Sequence, residues 1–302
     1  MELRHIRYFL AVAEARNFTR AAQRLGIGQP PLSQQIRDLE DEIGVRLFHR
    51  IPQGAELTEA GHAFLAGVRT LPDQVQAAVH GAQRAGRGET GALRVGFTGS
   101  AAFNPVVPGI IRAYRRAYPD VELSLQEGNS LDLVTALRDD LLDAAFLRPE
   151  SVEIEGLQLR ELDDEAMVVA LPSAHRLAGA ASVRLADLAT EAFVLTPRNL
   201  GPTLFDAAVT ACREVGFEPQ LGQSAPQIAS VLALVAAELG VSLVPASMRK
   251  AAIQGVTYCD LADVRRSVRI AIACRRTDLS PAVRHFYAEA RAQAPSPAVR
   301  AG

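Results

Sequence analysis

Lysine is nearly missing from this 302-residue sequence: Lys250 stands alone among 32 basic residues. Positive charge is therefore carried by arginine, whose planar fork suits phosphate and guanine contacts better than an ammonium does. Long apolar runs are missing too. No stretch approaches the roughly 20 residues that a membrane-spanning helix requires, so no membrane partner is expected. The opening MELRHIRYFL carries charge and then a helical stripe of Ile6, Phe9, Leu10 and Ala13, where a secretory leader would carry an uninterrupted apolar core. A cytoplasmic protein is expected. Cysteine is scarce: Cys212, Cys259 and Cys274 have no paired spacing, and six scattered histidines form no HxxxH or HExxH pattern. No metal site is expected, and the thiols read as structural ones in a reducing compartment. Catalytic signatures are absent as well. There is no Walker-type phosphate loop, no GxSxG elbow and no pair of carboxylates flanked by a base at informative spacing. Gly96-Phe97-Thr98-Gly99 is too short for a dinucleotide fingerprint, so neither a cofactor nor an enzymatic activity is expected.

What is present is a composition that folds, with 48% hydrophobic and 22% charged residues, and enough length for a small domain plus one or two larger ones. The net charge is only −2, which does not suit a protein that coats nucleic acid indiscriminately. The distribution is uneven. Residues 1–37 hold six arginines (4, 7, 16, 20, 24 and 37) against Glu2 and Glu14, a balance of +4, which Asp38, Glu40, Asp41 and Glu42 then cancel. A local basic face on a near-neutral protein suits site-specific binding, where phosphates position and bases specify.

Phe18 to Arg50 is the segment that carries such a face, because it reads as a helix-turn-helix followed by a wing. A short helical segment, Thr19 to Leu25, meets a turn at Gly26-Ile27-Gly28. A second helix starts behind Pro30-Pro31, where a missing N–H costs nothing in the first turn. Leu32, Ile36, Leu39 and Ile43 follow steps of 4, 3 and 4 and form one apolar stripe. Ser33, Gln34 and Arg37 are expected on the opposite side, with short polar groups and a guanidinium to reach base edges and phosphates. Thr19, Arg20, Gln29, Pro30 and Pro31 are assigned to the same DNA face, and Arg50 to a backbone or minor-groove contact beside the wing, Ile51-Pro52-Gln53-Gly54. The stripe alone fits an ordinary amphipathic helix pair; the turn glycines, double proline and polar face favour DNA.

The residues that make this pattern also carry a resemblance. Leu3, Phe9, Ala13, Phe18-Thr19-Arg20-Ala21-Ala22, Leu25, Gln29-Pro30, Leu32-Ser33, Ile36, Leu39-Glu40, Gly44, Leu47-Phe48, Arg50, Leu57-Thr58 and Gly61 resemble the DNA-binding domain of the LysR-type transcriptional regulators. These motifs cover about the first sixth of the chain. The remainder is compatible with the family's effector domain throughout. The resemblance implies an N-terminal winged helix-turn-helix over 1–58, a linker helix over 59–87 and an effector domain over 88–302. The last is expected as two α/β lobes similar to the type 2 periplasmic-binding fold, lobe I over about 92–162 and 268–293, lobe II over about 163–267.

The linker pattern stands on its own. Thr58 reads as an N-cap, and Phe64, Val68, Leu71, Val75, Ala78 and Ala82 follow steps of 4, 3, 4, 3 and 4, an a/d seam for a second helix. In the resembled family this helix pairs two subunits, so a dimer or tetramer is expected, with Phe64, Val68, Leu71 and Val75 in the seam. Pro72 is the departure, because inside a helix it removes a hydrogen bond. Gly86 to Gly91 is a hinge by composition. Strands then alternate with helices: a strand at Leu93–Phe97, a half-buried strand at Val121, Leu123 and Leu125, and a helix from Leu131 capped by Ser130. A short strand at Asp143–Leu147 completes a βαβαβ order that predicts a mostly parallel sheet. A strand at Ala166–Leu171, a helix at Thr203–Val215 and one over Gln227–Leu239 with Gly240 as its C-cap follow. A late strand at Arg269–Cys274, a helix at Ala282–Ala292 and a solvated tail, APSPAVRAG, close the chain.

A small acidic ligand between two lobes needs helix N-termini and a cation. Gly99-Ser100, Asn129-Ser130 and Gly201-Pro202-Thr203 each precede a helix and offer free N–H groups with a hydroxyl. Plain capping explains any one of them; three at strand-to-helix turns point to a shared pocket. Arg148, after the Ala144-Ala145-Phe146-Leu147 strand, is the expected counter-charge, and its replacement by alanine is expected to leave folding intact. In the branch of the resembled family that senses muconate, benzoate and related ring-cleavage acids, an arginine follows this strand. That branch is also similar to this chain in Met1 to Phe9, in Val95-Gly96-Phe97-x-Gly99-Ser100 and in Val241 to Ser247. The chain departs from it at Ser130, commonly threonine there, and at Leu204. Effector-site residues are thus Ser100, Ser130, Arg148, Pro202 and Thr203. Some members of the family sense oxidants through paired cysteines, and Cys212 is the candidate for that role here.

The expected protein is a regulator whose partners are double-stranded operator DNA, an acidic small-molecule effector and its own copies, with RNA polymerase as a candidate further partner. A solute-binding or transport component explains the second half but leaves the helix-turn-helix idle. A small-molecule enzyme with an N-terminal interaction module lacks a catalytic set. Retention on a duplex promoter fragment separates both from the regulator.

Overall fold

The apolar stripe of the second expected helix does close a core. The computed structural model describes residues 1–52, 54–278 and 280–293. Gln53 of the expected wing and the tail expected over 294–302 lie outside the described residues. The chain divides into two compact units, Met1–Gln83 and Arg84–Gly302.

The first unit runs α1 (Leu3–Ala15), α2 (Phe18–Leu25), α3 (Gln29–Ile43), the hairpin β1 (Phe48–Ile51) with β2 (Gly54–Leu57), and α4 (Glu59–Val68). Asn17 is the N-cap of α2: its Oδ1 accepts from the backbone N–H of Thr19 and Arg20 at 2.9 and 3.0 Å. The helix therefore starts at Phe18, one residue ahead of the expected start. Left-handed glycines, Gly26 (φ +67) and Gly44 (φ +83), end α2 and α3. Phe9, Val12, Ala21, Leu32, Ile36, Leu39 and Leu47 form the centre of the core, and Phe9 sits between the rings of Phe48 and Phe64. Glu40 hangs the hairpin from α3. Its buried carboxylate accepts from the N–H of Leu47 and Phe48 at 2.8 and 3.1 Å and pairs with Arg46.

The linker is two helices, not one. Pro72 has no N–H to offer the Val68 carbonyl, so the ladder stops at Val68 and resumes as α5 (Leu71–Gly86). The break falls beside Leu71, where Pro72 puts the continuity of the linker in question, and it divides the seam. Phe64, Val68 and Leu71 pack into the core of the first unit, whereas no residue of α5 is buried and Val75 is 38% exposed.

The second unit starts with β3 (Gly91–Phe97), α6 (Gly99–Ala102), α7 (Val106–Ala117), β4 (Val121–Glu127), α8 (Ser130–Arg138) and β5 (Ala144–Leu147). It continues with β6 (Leu157–Pro172), β7 (Ser182–Val183), β8 (Ala192–Leu195), α9 (Pro202–Glu214), β9 (Gln220–Ser224) and α10 (Ile228–Ala236). Strands β10 (Ser242–Pro245), β11 (Val256–Leu261) and β12 (Ser267–Arg275) and helix α11 (Pro281–Gln293) complete it. The large sheet has the order β4-β3-β5-β12-β6-β11-β7, with β10 also on β6, and β8 pairs with β9 in a second sheet. The expected mostly parallel sheet is in fact mixed. Strands β4, β3 and β5 are mutually parallel and β7 is parallel to β11, whereas β12 is antiparallel to β5 and β6, as β10 and β11 are to β6.

The reason is β6. It is 16 residues long where the apolar pattern marked only Ala166–Leu171, and it pairs with β12 along its first part and with β10 and β11 along its last. One core gathers around Val95, Ile110, Phe146, Ile272 and Phe286, another around Val169, Leu185, Phe193, Cys212 and Leu243. These are the two lobes. Two caps also differ from expectation. Asn129, not Ser130, caps α8, its Oδ1 accepting from Asp132 N–H. Helix α10 ends at Ala237, and Gly240 (φ +145) is required instead because a Cβ there would collide with the Ala192 carbonyl.

The divided seam makes its two halves distinguishable by mutation. Val68→Glu places an unpaired charge in the first core and is expected to cost about 3 kcal/mol or more of stability. Val75→Glu should leave the melting temperature near that of the wild type and shift sedimentation toward a smaller species. A Val75→Glu chain that keeps its assembly at micromolar concentration would remove α5 from the interface.

Candidate functional site

The residues expected to meet DNA all lie in the first unit, and most are on its surface. Thr19 and Arg20 open α2 and are exposed; Pro30, Pro31, Gln34 and Arg37 are exposed along the first half of α3. Gln34 Nε2 donates to Asp38 Oδ1 at 2.7 Å and Arg37 Nε to the Ser33 carbonyl at 3.3 Å, so both reach along the helix surface. Ser33 is different. It is 3% exposed, and its Oγ accepts from Gln29 Nε2 at 2.7 Å. A helix turns about 100° per residue, which sets Ser33 beside Leu32 and Ile36 rather than opposite them. Ser33 and half-buried Gln29 therefore brace the start of α3 from behind. Arg50 lies on β1 with its guanidinium 5.1 Å from the centre of the Phe18 ring, a contact that holds an exposed cation at the hairpin.

In the second unit the five residues expected at an effector site come together. Ser100, Ser130, Arg148, Pro202 and Thr203 all line one cavity of about 280 Å3. The cavity is built by the turns that lead into α6, α8, α9 and α10, so the first N–H groups of four helices border it. Pro202 occupies the first turn of α9, where its ring needs no hydrogen bond. Thr203 turns inward, and its Oγ1 donates to the carbonyls of Arg148, at 3.2 Å, and Glu150. Leu200, Leu204, Pro226 and Ile228 supply apolar wall.

Arg148 is present at this cavity, but not as the free counter-charge expected of it. Only 2% exposed, it makes an ion pair with Glu165 Oε2 at 3.0 Å. Its Nε donates to Ser100 Oγ at 3.0 Å, its Nη1 to the Val268 carbonyl at 3.3 Å, and its own N–H to Ser130 Oγ at 3.4 Å. Glu165 in turn accepts from the Ser247 N–H. Burial pulls the guanidinium below its usual range, opposed by the attraction of Glu165. A pair this well hydrogen-bonded is electrically neutral toward whatever fills the cavity.

Several residues at the site escaped the sequence reading. Glu165 is one; it sits within a run of acids, Glu161-Leu162-Asp163-Asp164-Glu165, that resembles a solvated loop, while the burial of Leu162 and Glu165, three residues apart, is visible only once the strand and its irregular register are known. Thr98, Glu127, Asp132 and Gln227 are others. Gln227 had a signal, since Pro226-Gln227 precedes a helix as the three recognised turns do. Thr98 is 8% exposed, and its Oγ1 has no hydrogen-bond partner. The three cysteines are buried, with Cys212 pushed up to about 12 by desolvation and Cys259 and Cys274 also raised by burial. Such thiols are poor nucleophiles, which disfavours Cys212 as an oxidant sensor. Among the described residues no cluster of His, Cys, Asp and Glu is arranged to hold a metal ion, and no helix is long and apolar enough to cross a membrane.

Comparison with known proteins agrees with both halves of this description. Residues 3–62 match the family described as "Bacterial regulatory helix-turn-helix protein, lysR family", and residues 86–295 match the "LysR substrate binding domain". The chain is 41% identical over 286 residues to the HTH-type transcriptional regulator BudR of Raoultella terrigena, covering 95% of this chain and 99% of that one. It is 34% identical over 289 residues to BenM of Acinetobacter baylyi, covering 95% and 94%. The crystal structure of full-length CbnR with its target DNA superposes with a TM-score of 0.85 at 28% identity, covering 98% of this chain and all of that one.

The burial of Arg148 reverses the expectation that its loss is silent for folding. Removing one partner of a buried, hydrogen-bonded ion pair costs about 3–5 kcal/mol. Arg148→Ala should therefore lower the melting temperature markedly, and Glu165→Gln should do so to a lesser degree. An Arg148→Ala chain as stable as the wild type would show that the pair contributes nothing to the fold.

Proposed function

The chain belongs to the LysR-type transcriptional regulators, and on that premise we propose how its two sites divide the work: the outer face of α2 and α3 reads operator DNA, and the cavity of the second unit takes a small carboxylate that controls transcription. It is a DNA-binding regulator with an effector-binding domain, not an enzyme. The domain limits we propose remain 1–58, 59–87 and 88–302, with the lobes as set out above.

For DNA, the reading rests on exposure and chemistry. Gln34 carries an amide able to bond two atoms of one adenine edge, and Arg37 and Arg20 carry forks for phosphate or guanine. Ser33 serves by holding Gln29, and Arg50 reaches backbone or minor groove from the hairpin. For the effector, one observation carries the proposal: Ser100, Ser130, Thr203 and Pro202 converge on one cavity beneath helix N-termini. The amides at the starts of α8, α9 and α10 have no partners within their helices and favour an anion there. With Arg148 neutralised by Glu165, the helix ends and hydroxyls are what hold the carboxylate, and Arg148 acts by fixing Ser100 and Ser130. The apolar wall accepts a ring as well as an aliphatic chain, so ring-cleavage and aromatic acids belong to the class proposed. Subunits associate as a dimer or tetramer, with the Val75 face of α5 as the exposed part of the contact.

Two experiments bear on this. Gln34→Ala should cost about 1–3 kcal/mol of affinity for the operator and little for random duplex; equal losses on both would mean that Gln34 reads no base. A thermal-shift screen of the full chain against aliphatic and aromatic mono- and dicarboxylates should raise the melting temperature for at least one class. Ser130→Ala should weaken that response by about 0.5–1.5 kcal/mol, the worth of one neutral hydrogen bond. No response to any carboxylate-bearing compound would end the carboxylate reading.

A further inference from the structure

Charge counting around the cavity gives an unexpected sign. Three ionisable side chains line it, Glu127, Asp132 and Arg148. The Arg148 charge is already matched by Glu165 at 3.0 Å, behind the wall. The groups left facing the space are two carboxylates. A plain carboxylic acid would add a third negative charge to a site whose only cation is engaged.

The two acids are not equivalent. Asp132 is tied to the start of its helix: Asn129 Nδ2 donates to its Oδ2 at 2.7 Å, and its own N–H goes to Asn129 Oδ1 at 2.9 Å. Among the described residues no hydrogen bond or ion pair is found for Glu127. Its position is particular, because a Cβ on Gly99 would stand 2.5 Å from Glu127 Oε1. The carboxylate of Glu127, an exposed side chain, therefore lies over Gly99, whose neighbours in the chain are Thr98 and Ser100. Thr98 lines the cavity, and among the described residues its buried Oγ1 has no hydrogen-bond partner. Ser100 accepts from Arg148 Nε, so its own proton remains free to donate. A carboxylate without a hydrogen-bond partner among the described residues thus lies over a glycine whose two neighbours in the chain carry hydroxyls.

We infer that the ligand of this cavity is a small α-amino acid, with its ammonium on Glu127, supported by Asp132, and its carboxylate on the Thr98 and Ser100 hydroxyls and the helix amides. In an α-amino acid the two charged groups share one carbon, so their receptors must be neighbours, as Glu127, Thr98 and Ser100 are. Gly99 fits this arrangement, since any side chain there would displace the Glu127 carboxylate. The inference rests on the carboxylate reading above and adds the second charge to it.

The test is calorimetric titration of the full chain with the common L-amino acids, each set beside the acid lacking the amino group and the amine lacking the carboxylate. For leucine these are 4-methylpentanoate and 3-methylbutylamine; for phenylalanine, 3-phenylpropanoate and 2-phenylethylamine. At least one amino acid is expected to bind about tenfold or more tightly than its des-amino partner, the worth of a charge-assisted hydrogen bond. Glu127→Gln, of nearly the same shape, should bring that ratio close to one while melting temperature and retention on promoter DNA stay unchanged. Des-amino acids that bind as well as the amino acids would overturn the proposal and leave the carboxylate reading standing. Amines that bind best, or silence from every compound, would overturn both. If the glutamine variant fails to fold, the wild-type comparison decides alone.

Discussion

The Arg148–Glu165 ion pair is the constraint on which the second unit's site depends. It joins the end of β5 to the middle of β6, and its remaining hydrogen bonds reach Ser100 on α6, the Val268 carbonyl on β12 and the Ser247 N–H. Two buried charges are costly to hide, and the cost is offset only when nearly every donor and lone pair is satisfied. Here that condition orders the hydroxyls that face the cavity, because Ser100 and Ser130 accept from Arg148 and are left with protons to give. The pair is thus a fixed dipolar floor. The groups that border the cavity above it are the helix starts, the hydroxyl residues and the acids Glu127 and Asp132.

The same constraint explains why the polarity of the site was hard to read from sequence. Arg148 follows a short apolar strand, and a cation at a strand end looks exposed. Its partner lies 17 residues on, beyond a loop and in the middle of a strand that carries four acids. Strand β6 also contains a register shift against β12 near Ile270, which breaks the alternation that would have marked Glu165 as inward-facing. The turns were legible for a different reason. Helix starts are local features, set by small polar residues and prolines within a few positions, and Ser100, Ser130, Pro202 and Thr203 could be marked without knowing what lies across from them.

The first unit shows the same division between local and distant causes. The turn at Gly26, the prolines opening α3 and the 4-3-4 spacing of Leu32, Ile36, Leu39 and Ile43 are local, and they place the helix-turn-helix correctly. Ile43 nevertheless ends 37% exposed, and Ser33 is buried, because the width of the packed face depends on what α1 and α2 bring against it. The linker stripe shows what spacing alone leaves out. Its spacing is regular from Phe64 to Ala82, yet one missing N–H at Pro72 lets the first half turn into its own core while the second half stays exposed. Periodicity counts positions; it does not register a broken hydrogen-bond ladder.

The two sites also differ in how water and salt act on them. Arg20, Arg37 and Arg50, the arginines proposed for DNA, are exposed, so any attraction they exert on phosphate is screened over a Debye length of about 8–10 Å at physiological ionic strength and competes with counterions. Arg148 and Glu165 are shielded from that screening by burial, and the helix amides at the cavity act at hydrogen-bond range, where salt has little effect. Affinity for DNA through exposed arginines should therefore fall as ionic strength rises, whereas the Arg148–Glu165 pair should hold. The floor of the cavity is thus steady in media that change the state of the exposed arginines, because the Arg148–Glu165 charges are already paired and the exposed ones are solvated.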